Sequence, residues 1–590
     1  MRPATVEQPD DRQPGEPATP TDEPGQPARL AGLAAAAALP ACGGGGAVPT
    51  ATGMAFATGL ATTQAEPSAV GPVSPPVRPP VRLTREQASR LLSQAGMGGT
   101  AQQIAQVRAV GIDGWISAQF QTPRSASYLS LIGIGGPDAD DSANGGGGGG
   151  DALERALWRK LITSPDVLRQ RVTLALSEIL VVSITPLTNR GFAVAAYMDI
   201  LEGNAFGNYG DLLAQVSTSA AMGTYLSYVN NRKADPVTGS QPDENYAREL
   251  MQLFTIGLLT LNPDGTPALR NGAPQESYTQ DDVSGLARVF TGWVLSDDRS
   301  TPTSNVSQPM RQLASRHELG EKKFLGTTIP ALTDGVASLG LAIQALMAHR
   351  NMGPFIGRQL IQRLVKSNPT PAYVARVAAA FDGNAQRRKG DMQATLRAVL
   401  LDSEARAAAW LSVPQHGKLR EPMLRFLQWA RLVQLPPTAS GQYRIRSLAD
   451  PDDELAQTPL RSPSVFNFFR PGYVPPDSEL GRLGITSPEF QITNETSVAG
   501  YLNYMRGVIG QGIGEARPDH AALLLLAGDA AALLAELNVL LAAGQVAPAT
   551  LAALKTALDS IDSSTAGGAL RRVQAAVMLV MAAPGYLVQK

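Results

Sequence analysis

The chain has 590 residues, of which 44% are hydrophobic, enough to bury one large core or two cores of ordinary domain size. Its 50 basic and 51 acidic residues give a formal net charge of −1, which excludes an overall positive field for nucleic acid or an anionic membrane. Only 5% of residues are aromatic, and Ala and Leu dominate the apolar residues. This composition predicts a mainly α-helical fold with long irregular loops and little sheet.

Residues 1–42 have features of an export signal. The single cysteine, Cys42, follows the apolar run 30–41 and precedes four glycines. This pattern resembles a bacterial lipoprotein signal in which Cys42 becomes the lipidated first residue. Acidic residues precede the run, so the alternative is a disordered leader with a chance cysteine. We predict a periplasmic, outer-membrane-anchored or extracellular protein that contacts a membrane only through its lipid.

The rest of the chain divides by composition. Residues 43–82 are rich in Gly, Pro, Ala and Thr, which is typical of a disordered tether. A helical domain is predicted from 83 to 517, with insertions at 137–151 and 436–488. The Ala/Leu-rich helices of 518–590 are expected to pack on the same domain.

Capped segments whose apolar residues recur every three or four positions predict most of the helices. Thr84 can cap the first helix, and Ser164 followed by Pro165 can begin a central one. Other helices are predicted at 101–120, 354–365, 370–381, 391–409 and 418–435.

The most informative block lies between residues 244 and 326. It contains ENYARELMQLFTIG, then YTQDDVSGLARVFTGW, then RHELGEKKFLG. The block resembles the signature of a bacterial family known as domain of unknown function 1800, and the resemblance extends from about Leu83 to beyond Gln491. It implies an exported protein with a task at the cell envelope, on polysaccharide, with a secreted sulfatase-like protein as partner. It implies no reaction, and the cofactor is unknown.

A helix beginning at Glu244 would carry one polar stripe, formed by Asn245, Arg248, Glu249 and Gln252. We expect Glu249 to share a buried network with Arg248 or Arg288 and to lie near the His317 segment. In the next helix Thr279 can cap with Asp282, and Gly285 permits close approach of another backbone.

Two interpretations of this block remain open. In the catalytic one, Glu249 is a general acid or base, Arg248 orients it, and His317 is a second proton-transfer group. Asn245, Arg248 and Arg288 are then expected to bind the ligand. In the structural one, the same side chains form a network that locks helices together. Asp282 is either a second carboxylate or only a helix cap, and Lys323 binds an anion, caps a helix or lies in solvent.

The segment 436–488 breaks the helical pattern and contains the aromatic group SVFNFFRPGY, which includes Phe468 and Tyr473. A long irregular segment of this kind is either a binding loop or a hydrophobic strap over the core. Common nucleotide, nucleophile-elbow and zinc motifs are missing from the sequence, and the four histidines share no metal-ligand spacing, so we expect no metal site.

Two functions follow from these features. The first is an exported hydrolase that cleaves a polysaccharide with Glu249 and Asp282, which requires both carboxyl groups to line one cleft. The second is a noncatalytic envelope scaffold that binds a secreted partner through 436–488.

Overall fold

A computed structural model describes residues 83–133, 135–139, 149–300 and 303–590, without the side chains of 188 and 189. The predicted signal with Cys42, the predicted tether and most of the 137–151 insertion lie outside these residues. The described chain is mainly helical with small two-stranded sheets, which confirms the expected fold class.

The α-helices in the described residues are α1 Arg85–Ala95, α2 Ala101–Val110, α3 Ile112–Gln121, α4 Tyr128–Ile132, α5 Gly150–Thr163, α6 Val167–Ser177, α7 Gly191–Asn204, α8 Tyr209–Val216, α9 Ala220–Tyr225, α10 Asn245–Gln252, α11 Gln280–Ala287, α12 Ser304–Ser307, α13 Gly335–Ala348, α14 Met352–Leu364, α15 Pro371–Asp382, α16 Met392–Leu401, α17 Ser403–Arg406, α18 Pro422–Leu432, α19 Glu479–Arg482, α20 Glu495–Gln511, α21 Ala521–Leu524, α22 Ala530–Ala542, α23 Pro548–Asp559, α24 Gly568–Ala582 and α25 Pro584–Leu587. Short 3₁₀ helices lie at Thr185–Arg190, Arg288–Phe290, Ala314–Arg316, Ala408–Ser412 and Pro488–Ile492.

The strands form antiparallel pairs, β1 with β2, β3 with β4, β5 with β6 and β7 with β8. Their bounds are β1 Leu269–Arg270, β2 Ala273–Pro274, β3 Trp293–Val294, β4 Arg311–Gln312, β5 Lys322–Phe324, β6 Thr327–Ile329, β7 Lys418–Leu419 and β8 Val588–Gln589.

Local capping chemistry fixes several helix starts where the sequence predicts them. Thr84 accepts a hydrogen bond from the backbone of Gln87, and the Gln87 side chain accepts one in return. Thr279 and Asp282 form the same reciprocal arrangement at the start of α11. Both capping boxes confirm the predictions, because each depends only on residues within one turn.

Two predicted helices are interrupted, and a third begins later than predicted. Gly111, with φ 77°, separates α2 from α3, and Asp402 leaves the helical conformation between α16 and α17. The helix predicted from Lys418 begins instead at Pro422, because Lys418 and Leu419 pair as β7 with the C-terminal strand. These breaks show that the apolar period continues across residues whose backbone is not helical.

The C-terminal helices contact the first helices of the described chain. Helix α22 packs against α1 and α24, and Arg85 forms a 2.6 Å ion pair with Glu536. Helix α6 is buried along nearly its whole length. Asp138, in the described part of the predicted 137–151 insertion, is fully buried and 2.6 Å from Arg159, so this end of the insertion belongs to the core.

The segment 436–488 is irregular, and its helix is the four-residue α19. It contributes buried residues to the core, which are Tyr443, Ile445, Leu448, Leu455, Leu460, Phe468 and Phe469. The segment therefore packs over the core, as the hydrophobic-strap interpretation predicted. Within the described ranges, no helix combines the length and the apolar character needed to cross a membrane.

Candidate functional site

Glu249, the first candidate catalytic residue, lies on the buried side of α10. It is 8% exposed, and its Oε2 has no hydrogen-bonding partner among the described residues. Burial raises the pKa of its carboxyl group, and the charge of Arg248 opposes this only in part. The Glu249 charge also adds to burial in raising the pKa of Tyr225 to about 12. The carboxyl group is therefore within electrostatic range of Tyr225.

Arg248 makes its contacts on a different side of α10. Its Nη2 donates to Glu244 Oε2 at 3.1 Å and to Gln280 Oε1 at 3.0 Å. Glu244 also accepts hydrogen bonds from Gln280 at 2.7 Å and from Ser284 at 2.6 Å. The expected pairing of Arg248 with Glu249 is wrong, because residues four apart share a helix face whereas adjacent residues do not.

Asn245 and Arg288, which we expected to bind a ligand, lie at the surface. Arg288 Nη1 donates to the backbone oxygen of Glu321 at 3.4 Å, and Asn245 Nδ2 donates to Ser227 Oγ at 3.4 Å. Arg288 is exposed and Arg248 is half-exposed, so neither is the buried ion-pair partner that the sequence suggested.

Asp282 has a structural role. One carboxylate oxygen accepts from the backbone and hydroxyl of Thr279 at 2.7 and 2.8 Å, and the other accepts from the backbone of Leu325 at 2.6 Å. The residue thereby caps α11 and fixes the turn between β5 and β6. Lys323 is exposed and pairs with Glu321 at 2.6 Å. A methyl group on Gly285 would overlap the carbonyl oxygen of Lys323, which confirms the predicted close backbone approach.

His317 is buried, and both ring nitrogens have partners. Nδ1 lies 2.9 Å from the carbonyl oxygen of Thr291, so it carries the proton and donates, while Nε2 lies 3.4 Å from Ser338 Oγ. Burial lowers the pKa of the ring. His317 is therefore a neutral residue whose hydrogen bonds link Thr291, just before β3, to Ser338 on α13.

The contacts of Glu249, Asp282 and His317 involve three separate sets of neighbours. The structure brings Asp282 to the β5–β6 turn and His317 to Thr291 and Ser338, whereas the Glu249 carboxyl group is within electrostatic range of Tyr225. Within the described ranges, no three His, Cys, Asp or Glu side chains converge in a way that could hold a metal ion.

A cavity of about 520 Å³ opens instead beside the C-terminal end of α10. Its apolar lining residues are Ile179, Leu253, Ile256, Leu258, Leu259, Leu261, Phe355, Val465, Phe466 and Pro471. Its polar lining residues are Glu178, Gln252, Gln359, Arg363 and Arg470. The lining thus combines residues of the signature block, of α14 and of the irregular segment with Glu178 and Ile179.

The inner wall of this cavity is part of a buried charge cluster. Arg363 Nη1 lies 3.2 Å from Oε2 of Glu178, which follows the last turn of α6. Behind this pair, Lys418 Nζ lies 3.2 Å from Glu421 and 3.3 Å from Glu489. All five residues are buried. The cluster joins α6, α14 and α18 at the cavity.

The two carboxyl groups at the centre of the cluster differ in protonation. Burial, followed by the negative charge of Glu421, raises the pKa of Glu178 to about 8. Burial also acts to raise the pKa of Glu421, but the positive charges of Lys418 and Arg363 outweigh it and lower that pKa to about 2. At neutral pH the pair therefore holds one proton, on Glu178.

Comparison with known proteins assigns the chain to a family. The model of the family described as protein of unknown function (DUF1800) matches residues 90–588. The chain belongs to the DUF1800 family. No curated protein and no solved structure matches the chain.

The irregular segment of this DUF1800 protein contributes to the cavity through residues other than the predicted Phe468 and Tyr473. Phe468, expected to bind a ligand, is buried, and Tyr473 is half-buried and is not part of the cavity lining. Phe466 lines the cavity and is 36% exposed, with the guanidinium of Arg470 5.1 Å from its ring centroid. The segment is thus both a strap and a cavity wall.

Sequence reasoning missed Glu178, Arg363 and Glu421 entirely. A signal was present in the run from Val167 to Leu180, where Arg171 and Glu178 lie seven residues apart among buried apolar residues. Charged residues on an otherwise apolar helix face indicate a buried partner. In this DUF1800 protein the partners come from distant parts of the chain.

Proposed function

We propose that this protein is an exported, noncatalytic binding protein of the cell envelope whose ligand occupies the cavity beside α10. The observation that carries the proposal is the cavity itself. Its volume of about 520 Å³ lies within the range of roughly 300–1,000 Å³ that small-molecule sites occupy, and ten of its lining residues are apolar. A ligand with an extended apolar part matches this lining.

Hydrolysis of a polysaccharide by Glu249 and Asp282 has less support. Both oxygens of Asp282 accept hydrogen bonds that hold local structure, and neither Asp282 nor Glu249 lines the cavity. A glycosidase needs two carboxyl groups within about 10 Å across one cleft that admits the sugar. Binding of a ligand in the cavity does not require Glu249 or Asp282 to line it.

Export follows in this proposal from the Cys42 segment and from the family resemblance. A secreted sulfatase-like protein remains the proposed partner, and the exposed Phe466 with Arg470 above its ring offers it a contact at the cavity mouth. Aromatic and Arg side chains are frequent anchors in protein interfaces. Purified partner should bind Phe466→Ala more weakly than wild type, and equal binding would remove this part of the proposal.

The cavity can be tested with N-phenyl-1-naphthylamine, a neutral apolar fluorophore. We expect wild type to enhance its fluorescence saturably and Leu258→Glu to weaken binding at least tenfold, because a carboxylate at the apolar wall disfavours an apolar ligand. The matched control is Leu269→Glu on β1, since Leu269 is 63% exposed and Leu258 is 57% exposed. Absence of saturable binding by wild type, or equal weakening by both substitutions, would overturn the proposal.

A further inference from the structure

When Glu178 is protonated, the buried charge cluster at the inner wall of the cavity has one positive charge in excess. Arg171, whose Nη2 donates to the backbone oxygen of Arg363, belongs to this cluster. The buried cations Arg171, Arg363 and Lys418 contribute +3, and the buried anions Glu421 and Glu489 contribute −2 when Glu178 is protonated. The sum of +3 and −2 is +1. A buried unbalanced charge is costly, so a ligand that brings one negative charge to this wall gains electrostatic energy.

Two buried donors on the same wall are available to such a ligand. Gln359 Nε2 has no hydrogen-bonding partner among the described residues, and Arg363 Nη1 makes no hydrogen bond there although it lies 3.2 Å from Glu178 Oε2; both residues line the cavity. Both residues are more than nine-tenths buried. They lie four residues apart, on one face of α14. A guanidinium beside an amide suits a carboxylate, which accepts two hydrogen bonds side by side.

We infer that the cavity binds a single-chain amphiphile whose carboxylate is held by Arg363 and Gln359 and whose hydrocarbon chain lies along the leucine-rich wall. This inference rests on the proposed binding function and specifies its ligand. The apolar residues Leu253, Ile256 and Leu259 line the same cavity as Arg363 and Gln359, so the hydrocarbon chain of the ligand has an apolar surface to cover beside the charged wall. Arg470 at the mouth adds positive charge that attracts an anion.

Glu178 makes the inferred binding dependent on pH. As a neutral acid Glu178 can donate a hydrogen bond to the ligand carboxylate, whereas the ionised form would repel that carboxylate. The charged groups around it are Arg171 on α6, Arg363 on α14, Glu421 at the start of α18, Lys418 on β7 and Arg470 at the mouth. Because the pKa of Glu178 is raised to about 8, carboxylate binding should be strongest below that pH and fall above it.

The test is displacement of bound N-phenyl-1-naphthylamine by decanoate and by decanol, which share one hydrocarbon chain and differ in the end group. At about pH 7 we expect decanoate to compete at least roughly tenfold better than decanol, the lower end of what hydrogen bonds to a charged group contribute. Equal competition would overturn the carboxylate inference while leaving the binding function intact. If wild type binds neither the fluorophore nor decanol, the binding function itself fails.

Two variants separate the polar wall from general packing. Gln359→Leu should reduce the preference for decanoate over decanol by about tenfold, whereas Gln344→Leu, exposed on α13, should retain it. Glu178→Gln should keep its decanoate affinity between about pH 7 and about pH 9, where wild type loses affinity. A wild-type affinity that does not change over this range, or a Gln359→Leu protein with wild-type preference, would contradict the inference.

Discussion

The carboxyl groups of Glu178 and Glu421 are buried beside each other, and the negative charge of Glu421 adds to burial in keeping Glu178 protonated. Glu178 follows the last turn of α6, and Glu421 precedes the first turn of α18. Glu421 is satisfied by Lys418 and by Gln457, whose Nε2 donates at 2.9 Å. At neutral pH Glu421 therefore compensates buried positive charge, whereas Glu178 is held in its neutral form.

Substitution of each glutamate by glutamine should reveal this difference. Glu421→Gln removes one of the two anions that compensate three buried cations and should lower the free energy of unfolding by about 3–5 kcal/mol. Glu178→Gln replaces an acid that folding keeps neutral with a neutral amide, so it should not lower the free energy of unfolding near pH 7 and should raise it, because wild type gives up the ionisation of this residue on folding. Denaturant unfolding of both variants measures the difference, and equal losses would contradict the assigned protonation.

The pH dependence of stability follows from the same assignment. The folded-state pKa of Glu178 lies above its unfolded value, so its contribution to stability is greatest below about pH 4.3 and is lost as pH rises towards 8. The free energy of unfolding of Glu178→Gln should therefore fall less than that of wild type over this interval. Parallel curves for the two proteins would refute the assignment.

Glu249 and Glu244 on α10 should respond to glutamine substitution with opposite signs. The Glu249 carboxyl group is buried and its pKa is raised, so Glu249→Gln should increase the free energy of unfolding by about 1 kcal/mol at neutral pH. Glu244 is partly buried, but hydrogen bonds from Ser284 and Gln280 lower its pKa, so Glu244→Gln should decrease the same quantity by about 1 kcal/mol. Urea unfolding measures both, and a clear loss of stability in Glu249→Gln would restore the ion-pair hypothesis.

Gly285 and Gly340 provide a matched pair of helical glycines. A Cβ on Gly285 overlaps the backbone of Lys323, so Gly285→Ala should cost more than about 3 kcal/mol and separate α11 from β5. A Cβ on Gly340 in α13 meets open space, so Gly340→Ala should stabilise by about 0.5–1 kcal/mol. Thermal unfolding should order the proteins as Gly340→Ala, wild type, Gly285→Ala, and any other order would contradict the packing at α11.

His317 should not titrate in the neutral range. Burial lowers its pKa, so its neutral ring stabilises the fold above about pH 6.5, and this contribution is lost as pH falls through the lowered value. An NMR titration should show the midpoint of His317 below that of a histidine in the unfolded chain. A midpoint at or above about 6.5 would return His317 to the catalytic candidates.

Cys42 lies outside the described residues, and its lipidation stays a prediction. In the native host the precursor should be cleaved before Cys42, and wild type should incorporate radiolabelled palmitate and appear in the membrane fraction. Cys42→Ala should lose the label and become soluble. Full solubility of wild type without any label would show that the cysteine is a chance residue in a leader.

The sequence by itself determined the features whose causes are local. The apolar period and the caps at Thr84 and Thr279 predicted where helices form, since these interactions span a single turn. The signature block identified the family, and Gly285 indicated the close approach of another strand because a residue without Cβ is needed there. The mainly α fold class followed from composition.

Only the tertiary structure decided which polar residues meet. Arg363 lies 185 residues from Glu178 along the chain, and no periodic pattern encodes a contact at that distance. Local spacing suggested that Arg248 pairs with Glu249. Because the two side chains leave α10 in different directions, Arg248 instead donates hydrogen bonds to Glu244 and Gln280. The protonation of Glu178 is likewise a product of the fold, because burial and the charges of Glu421 and Arg363 arise only when α6, α14 and α18 come together.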